Sequence, residues 1–305
     1  MSSMPRVLET ASASPTVAPR ASRTPSRRTL HRFLSHRLAV IGAAILVVMV
    51  IGAVFAPVFA PYDPNAINLL RTSHAPDAQN WLGTDAVGRD ILSRLLYGAR
   101  ISLSVGVVAV AIYLAIGFVL GALAGYLGGL ADNLIMRFTD VMMCFPTFLL
   151  ILILVGILGP NIINVMLVIG LFGWTGVARL VRGQVLQLRE LDFVLAARTM
   201  GGGQWYVMVR HIAPNVIGPL TVAGSLGIAG AILAEAGLSF LGLGVVQPTA
   251  SWGSMLNEAR NPATLGTEPW VWLAPGMAIS LAVLASNFIG DGLRDAFDVR
   301  SRTVG

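Results

Sequence analysis

The sequence predicts an all-α integral membrane protein with six transmembrane helices, and two observations support this fold class. Charged residues make up only 12% of the 305 residues and hydrophobic residues make up 55%, whereas about 25% of the residues in soluble domains are charged. The remaining charges lie in groups, and the apolar stretches between them are about 20 residues long, which is enough to cross a bilayer. A soluble protein with buried helices would instead alternate polar and apolar faces along each helix.

The N-terminal region divides into a tail, a first span and a loop. Residues 1–29 are rich in Ser, Thr, Ala, Pro and Arg, a composition that predicts a disordered cytoplasmic tail. The apolar run that follows is longer than the core of about 7–15 residues in a signal peptide, and no clear cleavage site comes after it. We therefore interpret residues 30–60 as a retained first transmembrane helix with its cytoplasmic lead-in, followed by an extracytoplasmic loop over residues 61–100.

Residues 101–295 form the predicted membrane core, and residues 296–305 form a short cytoplasmic tail. Gly117, Gly121 and Gly125 lie four residues apart, a spacing that lets transmembrane helices pack closely. Pro146 predicts a kink in the third span, and Arg137 and Asp140 are spaced to form an ion pair at its cytoplasmic edge. The six predicted spans are residues 38–60, 101–127, 139–159, 162–180, 215–236 and 271–290.

The arginines predict the orientation of the chain. All 21 basic side chains are Arg. With both termini in the cytoplasm, 16 of them lie on the cytoplasmic side and five lie outside, as the positive-inside rule requires. This distribution also explains the net charge of +6, so we expect the membrane, and no nucleic acid, as the partner of these charges.

The residue types exclude several kinds of chemistry. Without Lys the chain has no Schiff-base residue and no phosphate-binding loop that ends in Lys. The four His are dispersed, and no Cys and His have the spacing of metal ligands. Cys144 cannot form a disulfide within the chain, and we interpret it as a packing residue. We therefore expect no catalytic, cofactor-binding or metal-binding residues and no enzymatic activity.

Residues 181–214 form a cytoplasmic loop that is too polar to cross the membrane. The sequence predicts two short helices in this loop, the first capped by Asp192 and ended by the glycines at 201–203. The second would run to Pro214, where the fifth span begins. Such a surface helix suits docking into a groove of another protein, and an amphipathic loop lying on the membrane is the alternative. The loop residues singled out are Asp192, Leu195, Ala196, Ala197, Gly201 and Pro214.

The pattern Ala196-Ala197-x-x-x-Gly201, followed by Pro214, resembles the EAA motif of importer-type ABC permeases. In that family this segment is the coupling helix, which inserts into a cleft of the ATPase subunit. The acidic position before the two alanines is Leu195 here, so the resemblance implies no contact that depends on a glutamate.

Two further segments resemble the dipeptide/oligopeptide/nickel permease group and are closest to the "C" permease of the dipeptide importer. The first runs from Trp81 to Leu103 and the second from Glu235 to Leu256, and the resemblance extends over about residues 30–300. The extracytoplasmic motif comprises Gly83, Thr84, Asp85, Gly88, Arg89, Asp90, Ser93, Arg94, Gly98 and Arg100. The outer segment between the last two spans contains Glu235, Ser239, Phe240, Leu241, Gly242, Trp252 and Gly253.

The spacing of these residues gives three expectations. Asp90 and Arg94 are four apart and predict an exposed ion pair worth about 0.3–0.5 kcal/mol on an external helix that orders the pore entrance, or that is only a structural cap. Glu235 lies near the outer end of the fifth span, where we expect structural hydrogen bonds rather than proton coupling. Trp252, Trp270 and Trp272 are expected in the aromatic belt at the membrane interface.

The resemblance implies a permease subunit that forms half of the pore of an ATP-driven importer in a bacterial inner membrane. The implied partners are a homologous second permease, one or two cytoplasmic ATPase subunits that hold ATP and magnesium, and an extracytoplasmic peptide-binding protein. The implied cargo is di- or oligopeptides, with nickel, glutathione or another small solute as alternatives. An energy-independent or proton-coupled carrier would need paired ionisable residues within the membrane, and a membrane-embedded enzyme would need a grouping of His, Asp or Ser; the sequence shows neither.

Overall fold

The computed structural model of the chain describes residues 25–297, with side chains from residue 30 onward. Over that range the regular elements are helices, and a single bridge joins Thr84 to Asp90. A 3₁₀ turn, Leu69–Arg71, and a π-helical turn, Met208–Ile212, complete the set. The helices are α1 (Pro25–Ser35), α2 (Arg37–Val54), α3 (Ala56–Phe59), α4 (Ile91–Leu127), α5 (Gly129–Met143), α6 (Thr147–Leu158), α7 (Ile162–Phe172), α8 (Trp174–Leu188), α9 (Asp192–Thr199), α10 (Gln204–Val207), α11 (Ala213–Phe240), α12 (Trp252–Glu258), α13 (Pro262–Thr267) and α14 (Pro269–Phe297).

Five helical segments in this range are long and apolar enough to cross a membrane. They are α2, α4, the run of α7 and α8, the run from Gln204 to Phe240, and α14. The pair α5 and α6 makes a sixth if it is one broken span. The predicted all-α membrane fold is therefore confirmed. Helix α1 begins inside the tail that was predicted to be disordered, and the remainder of that tail, together with residues 298–305, lies outside the described residues.

The second, fourth, fifth and sixth spans extend beyond their predicted limits. Helix α4 begins at Ile91 rather than at residue 101, because Asp90 caps it by accepting a hydrogen bond from the Ser93 amide at 2.8 Å. The fifth span is helical from Gln204, since the π-helical turn joins α10 to α11 without a break. Pro214 is thus the second residue of α11, directly after the π-helical turn, and not at the start of a separate helix.

The third span is broken at Pro146. Helices α5 and α6 meet at 79°, which confirms the predicted proline distortion. The predicted pair of Arg137 with Asp140 is wrong, because Asp140 instead pairs with Arg179 of α8 at 2.5 Å. Cys144, at the break, is exposed on this chain and is not the packing residue that was expected.

The glycines of α4 bring it against α8, as their spacing predicted. A Cβ atom on Gly117 would lie 2.6 Å from Cβ of Val177, and one on Gly125 would lie 2.9 Å from the carbonyl oxygen of Arg182. These distances leave no room for a side chain at either position. The pair α4 and α8 therefore forms the centre of the main hydrophobic core, where Val105, Ala109, Val177 and Val181 are buried.

The bundle has two distinct ends. Helix α4 runs from the end that carries residues 61–90 and 241–268 to the end where Arg189 donates a hydrogen bond to the Gly125 carbonyl at 3.1 Å. Helix α9 follows Arg189 directly, and the pair His36–Asp295 also lies at this end. We call the first the charged end, because the buried ion pairs described below lie there, and the second the α9 end.

Candidate functional site

Two regions contain most of the residues that the sequence singled out. The first is α9 with the glycines that follow it, at the α9 end. The second is the junction of α4, α11 and α12, at the charged end.

Helix α9 ends in a tight glycine turn. Gly201 has a φ of +84°, in the left-handed region that favours glycine. Its amide donates to the carbonyl of Arg198 and the Gly202 amide donates to the carbonyl of Ala197, both at 3.0 Å. This pair of bonds is a Schellman motif, so the predicted glycine stop is confirmed.

The start of α9 differs from its prediction. Leu191 occupies the capping position, and no side chain caps the helix. Asp192 is the first helical residue, where its carboxylate lies at the positive end of the helix dipole. Because it lies one position inside the helix, its oxygens do not reach the free amides in the capping geometry.

The two sides of α9 have opposite environments. Val194 and Ala197 are buried in the main core, while Leu195 and Ala196 are exposed and Met200 is 81% exposed. The adjacent alanines therefore have different roles, one packing against the bundle and one lying on the surface. An exposed apolar face on a short helix that is fixed by its buried side is suited to contact another protein.

Two arginines attach this region to α4. The guanidinium of Arg198 lies 5.1 Å from the ring centroid of Tyr126, a cation–π arrangement, and Arg189 bonds the Gly125 carbonyl. These two contacts join the α9 region to the end of α4.

A buried ion-pair cluster lies at the charged end. Arg89 contacts Asp85 at 2.6 Å and Glu258 at 2.9 Å, and Arg94 contacts Glu258 at 2.7 Å. Asp85, Arg89 and Arg94 are buried. The predicted exposed pair of Asp90 with Arg94 is therefore wrong, because Arg94 turns towards α12 instead.

Asp90 is occupied by the cap of α4. Its carboxylate accepts hydrogen bonds from the amide and hydroxyl of Ser93, both at 2.8 Å, and from the side-chain amide of Asn80 at 2.9 Å. These bonds fix the loop that precedes α4 against the first turn of that helix.

Burial has an electrostatic consequence for Glu258. Removal from water raises the pKa of this carboxyl, and the positive charges of Arg94 and Arg89 act in the opposite direction. Its charged form therefore depends on the two arginines.

The other residues of the extracytoplasmic motif shape the backbone. Gly83 and Gly88 have φ values of +77° and +81°, and a Cβ on Gly98 would lie 3.3 Å from the backbone of Ser251. The Thr84 hydroxyl donates to the Arg71 carbonyl at 2.5 Å. Arg100 bonds the carbonyls of Ala53 and Val54 at the end of α2.

Glu235 is fully buried and hydrogen-bonded. It accepts from the hydroxyl of Ser102 at 3.0 Å and from that of Ser239 at 2.7 Å. The Ser102 oxygen in turn accepts from the amide of Trp252 at 3.2 Å. The carboxylate therefore joins α4, α11 and α12, which agrees with the structural role expected for it.

The outer segment begins with a second glycine turn. Gly242, with a φ of +81°, ends α11, and Phe240 and Leu241 before it are exposed. A Cβ on Gly253 would lie 2.6 Å from Cα of Ala236, so α12 lies directly on α11.

The aromatic belt prediction fails for Trp252. This residue is 1% exposed and its indole donates to the Leu95 carbonyl at 3.2 Å. Trp270 and Trp272 are partly buried and donate to the carbonyls of Thr84 and Leu265.

Sequence reasoning missed Glu258, Asn80 and Tyr126, each of which completes one of these contacts. Glu258 is 164 residues from Arg94, and no local spacing could have connected them. No group of three or more potential metal ligands occurs in the part of the chain that the structure describes.

Comparison with known proteins agrees with this architecture. Residues 117–303 match the family described as binding-protein-dependent transport system inner membrane component. Residues 24–76 match the N-terminal transmembrane domain of oligopeptide transport permease C.

Individual relatives match over nearly their whole lengths. A Brucella suis protein whose name describes it as a peptide permease is 47% identical over 281 residues, which cover 92% of this chain and 93% of that protein. The glutathione transport system permease protein GsiD of Pectobacterium atrosepticum is 41% identical, over 95% and 96% of the two chains. The oligopeptide transport system permease protein OppC of Bacillus subtilis is 40% identical, over 89% and 88%.

These matches cover both the first span and the core that contains α9 and the charged end. The chain therefore belongs to the dipeptide and oligopeptide permease family of ABC importers, as a multi-pass inner-membrane component of the binding-protein-dependent type.

Proposed function

We propose that this chain forms half of the translocation pore of an importer for di- and oligopeptides. The observation that carries the proposal is α9, whose exposed Leu195, Ala196 and Met200 form an apolar surface while Val194 and Ala197 fix it to the core. Relatives named as peptide, oligopeptide and dipeptide permeases support peptide as the cargo.

In this proposal the α9 end lies in the cytoplasm. Arginines 179, 182, 189, 198 and 210 lie in or beside this end, and an excess of arginine marks the cytoplasmic side. The charged end then faces the side from which a binding protein delivers cargo.

The proposal includes three kinds of partner. A homologous second permease completes the pore, one or two ATPase subunits bind the exposed side of α9, and a peptide-binding protein docks at the charged end. ATP and magnesium belong to the ATPase subunits. This chain supplies the pathway and the docking helix, without a catalytic site or a cofactor of its own.

Gly201 provides a test of the docking role. Gly201→Val would place a β-branched residue at a φ of +84°, which such residues avoid, and would disturb the end of α9. We expect uptake by the assembled importer to fall at least about 10-fold, since roughly 1–3 kcal/mol of backbone strain displaces the docking surface, while the chain still inserts in the membrane.

The matched control is Gly203→Val. Gly203 has a φ of −62°, and a Cβ there meets nothing within 4 Å, so uptake should stay near the wild-type rate. Equal uptake by both variants would show that α9 is not the docking element.

Glutathione is the second candidate cargo, because GsiD proteins are among the relatives that align with most of this chain. Competition between a labelled dipeptide and unlabelled glutathione during uptake separates the two: a peptide importer keeps its dipeptide uptake when glutathione is in excess.

A further inference from the structure

A cleft of about 710 Å³ lies between α8, α11 and α14. It falls within the range of roughly 300–1,000 Å³ that is typical of small-ligand sites. Its lining combines the apolar side chains of Leu226 and Phe297 with three polar side chains, those of Gln184, Asp291 and Arg294.

Close contacts between α11 and α14 frame the cleft. A Cβ on Gly290 would lie 2.7 Å from the side chain of Leu226, and one on Gly218 would lie 3.0 Å from the ring of Phe297. Leu226 and Phe297 therefore border the cleft and also fix the spacing of its two walls. Pro219 lines the same wall of α11 and removes one helical hydrogen bond there.

Within residues 30–297, the charged side chains of the cleft have no partners. Among the described residues, Asp291 and Arg294 form no hydrogen bond or ion pair with another group, although both line the cleft. Asp295, one residue beyond Arg294, is in contrast paired with His36 at 3.5 Å. The cleft thus presents one negative and one positive group side by side, each able to bind an opposite charge.

The spacing of these charges selects a class of ligand. Residues three apart on a helix have Cβ atoms about 5–6 Å apart. In a dipeptide the two Cα atoms are about 3.8 Å apart, and the ammonium nitrogen and the carboxylate carbon each lie one bond further out. The charged termini of an extended dipeptide therefore have a separation similar to that of the two Cβ atoms. A short zwitterion therefore matches the pair, whereas a cation or an anion alone would leave one of the two charges uncompensated.

We propose that this cleft is a binding station for short zwitterionic peptides on their way through the permease. Asp291 binds the terminal ammonium, Arg294 binds the terminal carboxylate, and Gln184 on the facing helix hydrogen-bonds the peptide group. The apolar side chains accept the side chains of the peptide, which need no fixed sequence. This inference rests on the proposed peptide cargo and adds where, and by which groups, the permease itself holds it.

The test measures protection of a cysteine in the cleft. The importer is purified as its whole complex, without binding protein, with Cys144→Ser and Ala223→Cys in this chain; Ala223 lines the cleft. The rate of N-ethylmaleimide labelling at residue 223 is followed by mass spectrometry over a range of alanyl-phenylalanine concentrations. Val222→Cys, which also lines the cleft, serves as a second reporter if the first variant does not assemble.

The dipeptide should slow the labelling, and its N-acetyl and C-terminal amide derivatives should protect at least about 10-fold more weakly, because each loses one charge-assisted interaction. Asp291→Asn and Arg294→Gln should each reduce the affinity of the dipeptide by about the same factor. Asp295→Asn makes the same change of charge on α14 outside the cleft and should leave protection unchanged.

Two results distinguish failure of this inference from failure of the proposed cargo. In the first, the wild-type complex with its binding protein takes up the dipeptide, but the dipeptide protects the reporter cysteine equally well in Asp291→Asn, Arg294→Gln and Asp295→Asn. The binding station is then refuted and the cargo stands. If the wild-type complex takes up no peptide at all, the proposed cargo is refuted, and the station with it.

Discussion

Single charged residues hold the charged end together because they are buried with their partners. Glu235 has no contact with solvent, and an ionisable group in that position would be costly without the hydroxyls of Ser102 and Ser239. Arg94, 1% exposed, depends in the same way on Glu258. Removing one partner of such a pair costs more than the pair itself contributes, because the other partner is left buried and uncompensated.

Arg94→Gln should show this in a pH-dependent way. Without Arg94 the carboxyl of Glu258 keeps its burial and loses its largest stabilising charge, so its pKa in the folded protein rises further above the unfolded value. A raised carboxyl pKa means that the folded state binds the proton more tightly, so stability falls as pH rises through that pKa. We therefore expect a loss of about 3–5 kcal/mol at pH 8 and a smaller loss at pH 5, measured by thermal unfolding of the purified chain in detergent.

Glu258→Gln in the Arg94→Gln background is the control for that prediction. The second substitution removes the titrating carboxyl, so the difference between pH 5 and pH 8 should disappear. A loss of stability that is the same at both pH values in Arg94→Gln alone would show that Glu258 is not the partner that matters.

Local spacing accounts for what could be predicted about single residues. The glycine turn after α9 follows from residues within the same short segment. The partners of Arg94 and Tyr126 come from distant parts of the sequence, where spacing carries no information. Trp252 was misplaced for the same reason: a tryptophan near a span end is predicted at the interface, and only the contact with Leu95 shows that it is core.

At the scale of elements, the close packing of α4 against α8 is the feature most sensitive to substitution. Gly121 faces Ala178 and Val181, and a Cβ there would lie 2.8 Å from Cβ of Val181. Two helices in lipid gain little from apolar burial alone, so their affinity depends on such close approach.

Gly121→Ala should therefore destabilise the protein by about 1–3 kcal/mol, the usual cost of overpacking a well-packed contact. Gly176→Ala is the matched control on α8, since a Cβ there meets nothing within 4 Å. Thermal unfolding in the same detergent compares the two, and equal midpoints would mean that α4 and α8 separate without penalty.

The elements themselves were predicted better than their limits. Hydropathy identifies each span because about 20 apolar residues suffice to cross a bilayer. It does not detect Asp90, a polar residue whose cap starts α4 ten residues earlier than predicted, or the π-helical turn that carries the fifth span through Pro214. The break at Pro146 was predicted as a kink, but its angle of 79° was not, and neither were the ion pairs of Asp132 and Asp140 that join α5 to α8.

At the scale of the whole molecule, the two ends differ in how they are held. The charged end is joined by buried ion pairs and by the hydrogen bonds of Glu235 across three helices. The α9 end has an exposed apolar surface on α9, two arginine contacts to α4, and an open cleft between α11 and α14. Buried polar contacts therefore join the helices at the charged end, whereas the α9 end leaves an apolar surface and a cleft open.

The most direct measurement of the central claim is the hydrolysis of ATP by the native assembly. The chain is tagged, purified from its own membrane in mild detergent and incorporated in liposomes, and the proteins that accompany it are identified. We predict a second permease and ATPase subunits, with ATP hydrolysis that rises when peptide-loaded binding protein is added. A chain that transports peptide without any ATPase would contradict the account.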